Sequence, residues 1–130
     1  MGQQQLLLIV LGVIIVGIAV VVGINVFTAS AASSNRDAIT ADLANFASLS
    51  LEYFRKPKAL GGGGNSFVGF TIPTTLATTA NMSIAATATG LSATSATLTA
   101  FGTEKGTNGT SNVSVVVTVS STGITTSISN

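Results

Sequence analysis

Any acid-base or nucleophilic chemistry in this chain has to be built from Asp37, Asp42, Glu52, Glu104, five Lys and Arg side chains, Tyr53 and hydroxyls, because there is no His and no Cys. That removes the imidazole of a Ser-His triad, the thiol nucleophile and the Cys/His zinc site at once. The four carboxylates have no spacing that recurs in metal or paired-carboxylate sites. Gly61, Gly62, Gly63 and Gly64 lie near lysines, yet the GxxxxGK[ST] order of a phosphate loop is missing. The basic residues Arg36, Arg55, Lys56, Lys58 and Lys105 nearly balance the acidic ones and form no stripe, which sets nucleic acid aside as a partner. No enzymatic activity, cofactor or metal is therefore expected.

One further chemistry is covalent modification. Asn81-Met82-Ser83, Asn108-Gly109-Thr110 and Asn112-Val113-Ser114 each match the N-glycosylation acceptor pattern. Residues 66–130 contain 17 Thr and 10 Ser, so such tripeptides arise easily by chance. The segment 102–112, with Glu104, Lys105 and Gly106, is expected to be an exposed loop or a contact between subunits. Glu104 and Lys105 there read as solvated charges.

The elements that carry these residues differ sharply in polarity. No ionisable side chain precedes Arg36, and Leu6 to Ile24 reads LLLIVLGVIIVGIAVVVGI without a polar side chain. As a helix this run is about 28 Å long, close to the hydrocarbon thickness of a bilayer. The start Met1-Gly2-Gln3-Gln4-Gln5 lacks the basic n-region of a cleaved secretory signal, although Ala29-Ser30-Ala31 has the small residues of a cleavage site. A simple anchor would want Lys or Arg on its cytoplasmic flank, where only glutamines stand. Removal of a basic leader before Met1 accounts for both features. Gly12, Gly17 and Gly23 interrupt the run. They are read either as small-residue packing points between apolar helices or as places where the helix can stretch.

Beyond Ile24 the pattern becomes amphipathic, and no proline occurs before Pro57. One helix over 1–55 is expected, with 1–30 as its apolar part. Ile39, Leu43, Phe46, Leu49, Tyr53 and Phe54 recur at helical spacing and form the face that should meet the rest of the chain. Glu52 is placed to pair with Arg55 and Lys56 at the helix end. A flexible Gly-rich linker, 56–66, follows, and then a Ser/Thr-rich β domain, 67–130. Strands are expected at Phe67–Ile72, Met82–Thr89, Thr94–Phe101, Val113–Ser120 and Gly123–Ser129. Val113, Val115, Val117 and Val119 alternate with Ser114, Val116, Thr118 and Ser120, giving one face for the helix and one wetter face. Ser121-Thr122-Gly123 is the turn of a hairpin. The expected fold class is α+β: a long N-terminal α-helix packed in its second half against a small antiparallel β-sheet of about four strands.

The segment Met1 to Ile24, the continuing helix and the β-rich second half together resemble type IV pilins and their archaeal relatives. The resemblance implies a major pilin: a structural subunit held in the inner or cytoplasmic membrane, processed by a prepilin peptidase and exported by a pilus assembly machinery. Copies of the chain would then polymerise into an extracellular filament at the cell surface, with no nucleic acid in its core. The filament core would be packed from Leu6, Leu7, Leu8, Ile9, Val10, Leu11, Val13, Ile14, Ile15, Val16, Ile18, Val20, Val21, Val22 and Ile24. Met1 and Gln5 would make the N-terminal contact. Gln5 stands where many bacterial members have a glutamate, and a neutral amide can hydrogen-bond a neighbouring amine without cancelling its charge. Cleavage between Gly2 and Gln3 is the rival register. Two other functions fit the same pattern: a membrane-anchored β-domain binding module, and a minor or pseudopilin-like subunit of a secretion system.

Overall fold

The computed structural model describes residues 2–84 and 90–129. Its first element, helix α1 (Gly2–Arg55), runs for 54 residues without a break, about 80 Å at 1.5 Å per residue. The absence of proline over this whole length permits it. From Ala32 onward one face of the helix is covered: Ala32, Asn35, Ile39, Leu43, Phe46, Ala47 and Ser50 are buried, the three- and four-residue spacing of a single helical stripe. Leu49, expected on this face, falls beside it and stays 38% exposed, while the smaller Ala47 and Ser50 take the contact.

The helix ends on a wrapped turn. Leu60 N–H donates to Pro57 O (3.0 Å), and Gly61 adopts the left-handed conformation (φ 83°), which costs glycine little. The chain then folds back on α1: Gly63 N–H donates to Tyr53 O (2.8 Å), Gly64 N–H to Lys56 O (2.9 Å) and Asn65 N–H to Phe54 O (2.7 Å). These bonds satisfy carbonyls that a helix C-terminus leaves open. The glycines are thus held against the helix end, in contrast to the flexible linker expected from their composition. A Cβ on Gly63 would overlap Ser66 O and lie 2.8 Å from Tyr53 Cε1.

Residues 67–72 are irregular, with a turn at 68–69, and do not form the expected strand. Gly69 has φ 89°, which interrupts an extended backbone. The apolar content still serves the core, because Phe67, Phe70 and Ile72 are buried. Phe67 stacks on Phe54 at 4.6 Å between centroids, and Phe70 meets Tyr53 at 5.6 Å. A single helical turn, α2 (Thr74–Ala77), leads to the sheet.

Four strands follow: β1 (Met82–Ile84), β2 (Ser95–Lys105), β3 (Asn112–Ser120) and β4 (Gly123–Ser129). They form an antiparallel meander in the order β1-β2-β3-β4. The expected continuation of β1 to Thr89 lies outside the described residues. Val113, Val115, Val117 and Val119 are buried as their alternation predicts. Opposite them in β2 stand Ala100, Leu98 and Ala96, all fully buried. The two alanines leave room for α1 to lie close over the sheet. β4 is exposed along its whole length. Ile124 pairs with Val119 and Ile128 with Val115, so both isoleucines share the valine face. They remain 47% and 55% exposed because β4 extends beyond the part of the sheet that α1 covers.

Candidate assembly surface

The largest apolar surface of the molecule is the free part of α1. Every residue from 2 to 30 is exposed. The fifteen side chains expected in a filament core, Leu6 to Ile24, have relative exposures between 52% and 69%. A helix that is apolar around its full circumference has no side suited to water. The run is long and apolar enough to cross a membrane. Gln5 stands exposed in the first turn, and Met1 lies outside the described residues.

Gly12, Gly17 and Gly23 have open space where a Cβ would stand. At 100° per residue Gly12 and Gly23 fall within about 20° of each other, while Gly17 is roughly 140° away from Gly12. The three glycines therefore do not form one seam.

Beside the apolar stripe that seats it, this helix is also held to the sheet by a side chain absent from the sequence expectations. Asn35 is only 7% exposed. Its Nδ2 donates to Asn81 O (2.9 Å) and to Thr103 Oγ1 (3.5 Å), and its Oδ1 accepts from Glu104 N–H (3.4 Å). One carboxamide thereby ties α1 to the start of β1 and the far end of β2. Its neighbour across the interface is Gly102. A Cβ there would overlap Asn35 Oδ1 and stand 2.8 Å from Ile39 Cδ1. Gly102 belongs to β2 and is buried, which corrects its expected place at the start of an exposed loop. The strand register shifts between Phe101 and Lys105, and the true loop is 106–111.

Two signals pointed to this clamp. Asn35 occupies a helical stripe otherwise filled by Ala32, Ile39 and Leu43, where a polar residue needs partners. Gly102 continues the alternation 96, 98, 100 on the buried face, where glycine marks close backbone approach.

The three acceptor tripeptides fall in different settings. Asn81 and Asn108 are exposed, whereas Asn112 is half-buried and donates through Nδ2 to Gly102 O (2.8 Å). The carboxylates are not brought together: Asp42 Oδ2 accepts from Thr79 Oγ1 (3.3 Å), and Glu52 and Glu104 stand in solvent. Among the described residues no group of three His, Cys, Asp or Glu side chains is placed to hold a metal ion.

Comparison with protein-family models, curated proteins and solved structures finds no match.

Proposed function

We propose that this chain is the structural subunit of a type IV pilin-like filament, held in a membrane through the apolar part of α1 before assembly. The observation that carries the reading is the division of one continuous helix. From Ala32 on one face is covered by the rest of the chain, while residues 2–30 project exposed and uncharged, with 6–24 apolar on every side. A lipid bilayer covers such a surface in the subunit, and a bundle of the same helices covers it in a polymer. Van der Waals packing and apolar burial drive that bundle. The glycine positions support several neighbours around each helix over a single paired seam. Gln5 gives the N-terminal turn a neutral hydrogen-bonding group in that core.

A helical polymer built from one repeated heterologous contact follows from this arrangement, with the Ser/Thr-rich sheets outside. Negative-stain microscopy of material sheared from cells producing the chain tests the reading. Fibres containing the chain are expected. Dispersed or micellar protein alone would overturn the filament and leave a membrane-tethered β domain.

A further inference from the structure

We propose that Asn108 is an N-glycosylation acceptor, modified on the folded, membrane-anchored chain, and that Asn81 and Asn112 are not. The inference rests on the reading of the chain as an exported subunit whose apolar helix sits in a membrane. All three tripeptides satisfy the acceptor pattern, so the motif selects none of them. The fold does.

Transfer needs an asparagine whose Nδ2 is free and whose tripeptide can present it in a turn. At Asn112 both requirements fail. Its Nδ2 is bonded to Gly102 O, Val113 is fully buried, Ser114 Oγ donates to Ser129 O (2.8 Å), and all three residues lie in β3 between two paired strands. At Asn81 the side chain is exposed, but the tripeptide runs straight into β1. Met82 is 1% exposed, Met82 and Ser83 pair with Gly102 and Phe101, and the Asn81 carbonyl is held by Asn35.

Asn108 stands apart. It lies in the loop 106–111, exposed from Thr107 to Ser111, and its Oδ1 accepts from Thr110 N–H and Ser111 N–H, both at 3.0 Å. This closes the tripeptide into a turn, and the Thr110 hydroxyl makes only a long, exposed bond inside the tripeptide, Oγ1 donating to Asn108 O at 3.4 Å. The Nδ2 is left to solvent.

Position supplies a second, independent argument. Gly106, Thr107 and Gly109 line a groove with Asn25, Thr28, Ala29, Ala32 and Arg36 of α1. Those helix residues lie between about 2 and 18 Å beyond Ile24, where the apolar run ends. The loop therefore sits at the membrane boundary, where a glycosyl donor carried on a lipid is confined.

The donor class is an oligosaccharide esterified to a polyprenyl phosphate or diphosphate. Asn108 Nδ2 attacks the anomeric carbon and forms the C–N bond. The anomeric C–O bond to the lipid phosphate breaks, the phosphate leaves with the electron pair, and one amide proton passes to a base of the transferase.

The test is glycopeptide mass spectrometry on the full chain, taken both from membranes and from sheared fibres of an N-glycosylating prokaryotic host. Parallel variants are N108Q, T110A, T110S and N112Q, with protease accessibility reporting which side of the membrane the β domain occupies. Glycan on Asn108 alone, lost in N108Q and T110A and retained in T110S and N112Q, is the expected result. Glycan on Asn81 or Asn112, or a bare Asn108 on an exported chain, would overturn the proposal. Fibres with bare Asn108 would sink this inference alone, and glycosylated Asn108 without fibres would sink the filament alone. A bare β domain retained in the cytoplasm would overturn both.

Discussion

Replacing Gly102 with alanine tests how α1 is seated on the sheet. The added Cβ overlaps Asn35 Oδ1 and stands 2.8 Å from Ile39 Cδ1 and 3.2 Å from Asn35 Cγ. Two relaxations are open. If Asn35 rotates away, the bonds to Asn81 O, Thr103 Oγ1 and Glu104 N–H are lost, and only the first of these is short. The net loss is about 1 kcal/mol for that bond and about 1 kcal/mol more for the groups left unpaired. If instead β2 retreats from the helix, overpacking costs about 1–3 kcal/mol. Both routes converge on about 2 kcal/mol, or roughly a 30-fold rise in the population of opened β2. Hydrogen exchange followed by mass spectrometry on the detergent-solubilised full chain reads this directly in peptides covering 95–105. The same substitution in an Asn35→Ala background removes the overlapping oxygen and leaves only the movable Ile39 methyl. Its cost there should fall by about 1 kcal/mol or more, the coupling expected of residues in contact. Unchanged exchange in Gly102→Ala, or an equal cost in both backgrounds, would refute the clamp.

Other outcomes follow from the same packing. Val16→Lys places a charge midway along the uncovered apolar run, where it costs about 3 kcal/mol or more in a bilayer centre; fibres should disappear in negative stain, and normal fibres would contradict a dry helical core. Gly63→Ala drives a methyl into Ser66 O and Tyr53 Cε1 and should lower stability by about 1–3 kcal/mol, read as a shift in denaturation midpoint by far-UV circular dichroism in detergent. Val115→Ala and Ile128→Ala alter a directly paired couple on one sheet face. The fully buried Val115 should cost about 2 kcal/mol, and the half-exposed Ile128 less than about 1 kcal/mol in the dispersed subunit, although isoleucine loses more carbon. Equal losses in thermal melts would show that β4 is covered within the single chain.

The sequence made the helix and the central strands legible through strong, local signals. A proline-free stretch up to Pro57 permitted α1, and the four alternating valines set the inward face of β3. Segment 67–72 misled because phenylalanine, valine and isoleucine favour strands on composition, while the backbone at Gly69 decides against extension. The four glycines looked loose because glycine is permissive, but in the fold Gly63 and Gly64 N–H donate to Tyr53 O and Lys56 O at the end of α1, while Gly61 and Gly62 N–H close the turn on Lys58 O and Pro57 O. Asn35 and Gly102 required joining a helix period to a strand period across nearly seventy residues. Neither pattern alone reports that a small residue on one element makes room for an amide on the other. The wholly exposed β4 was hidden for a different reason: alternation tells which way a side chain points, not whether the helix reaches over it.

The free stretch of α1 also constrains how the subunit can travel. Its Leu, Ile, Val and Phe side chains from Leu6 to Phe27 are all more than half exposed, and hydrating them costs on the order of 20 kcal/mol. Equilibrium release into water would at that figure be suppressed by some fourteen powers of ten. A subunit leaving one apolar host must therefore be received by the next without an aqueous interval. In the proposed filament, growth and shrinkage would then be exchanges at a shared boundary, governed by how many subunits a membrane holds and indifferent to any concentration in the surrounding fluid.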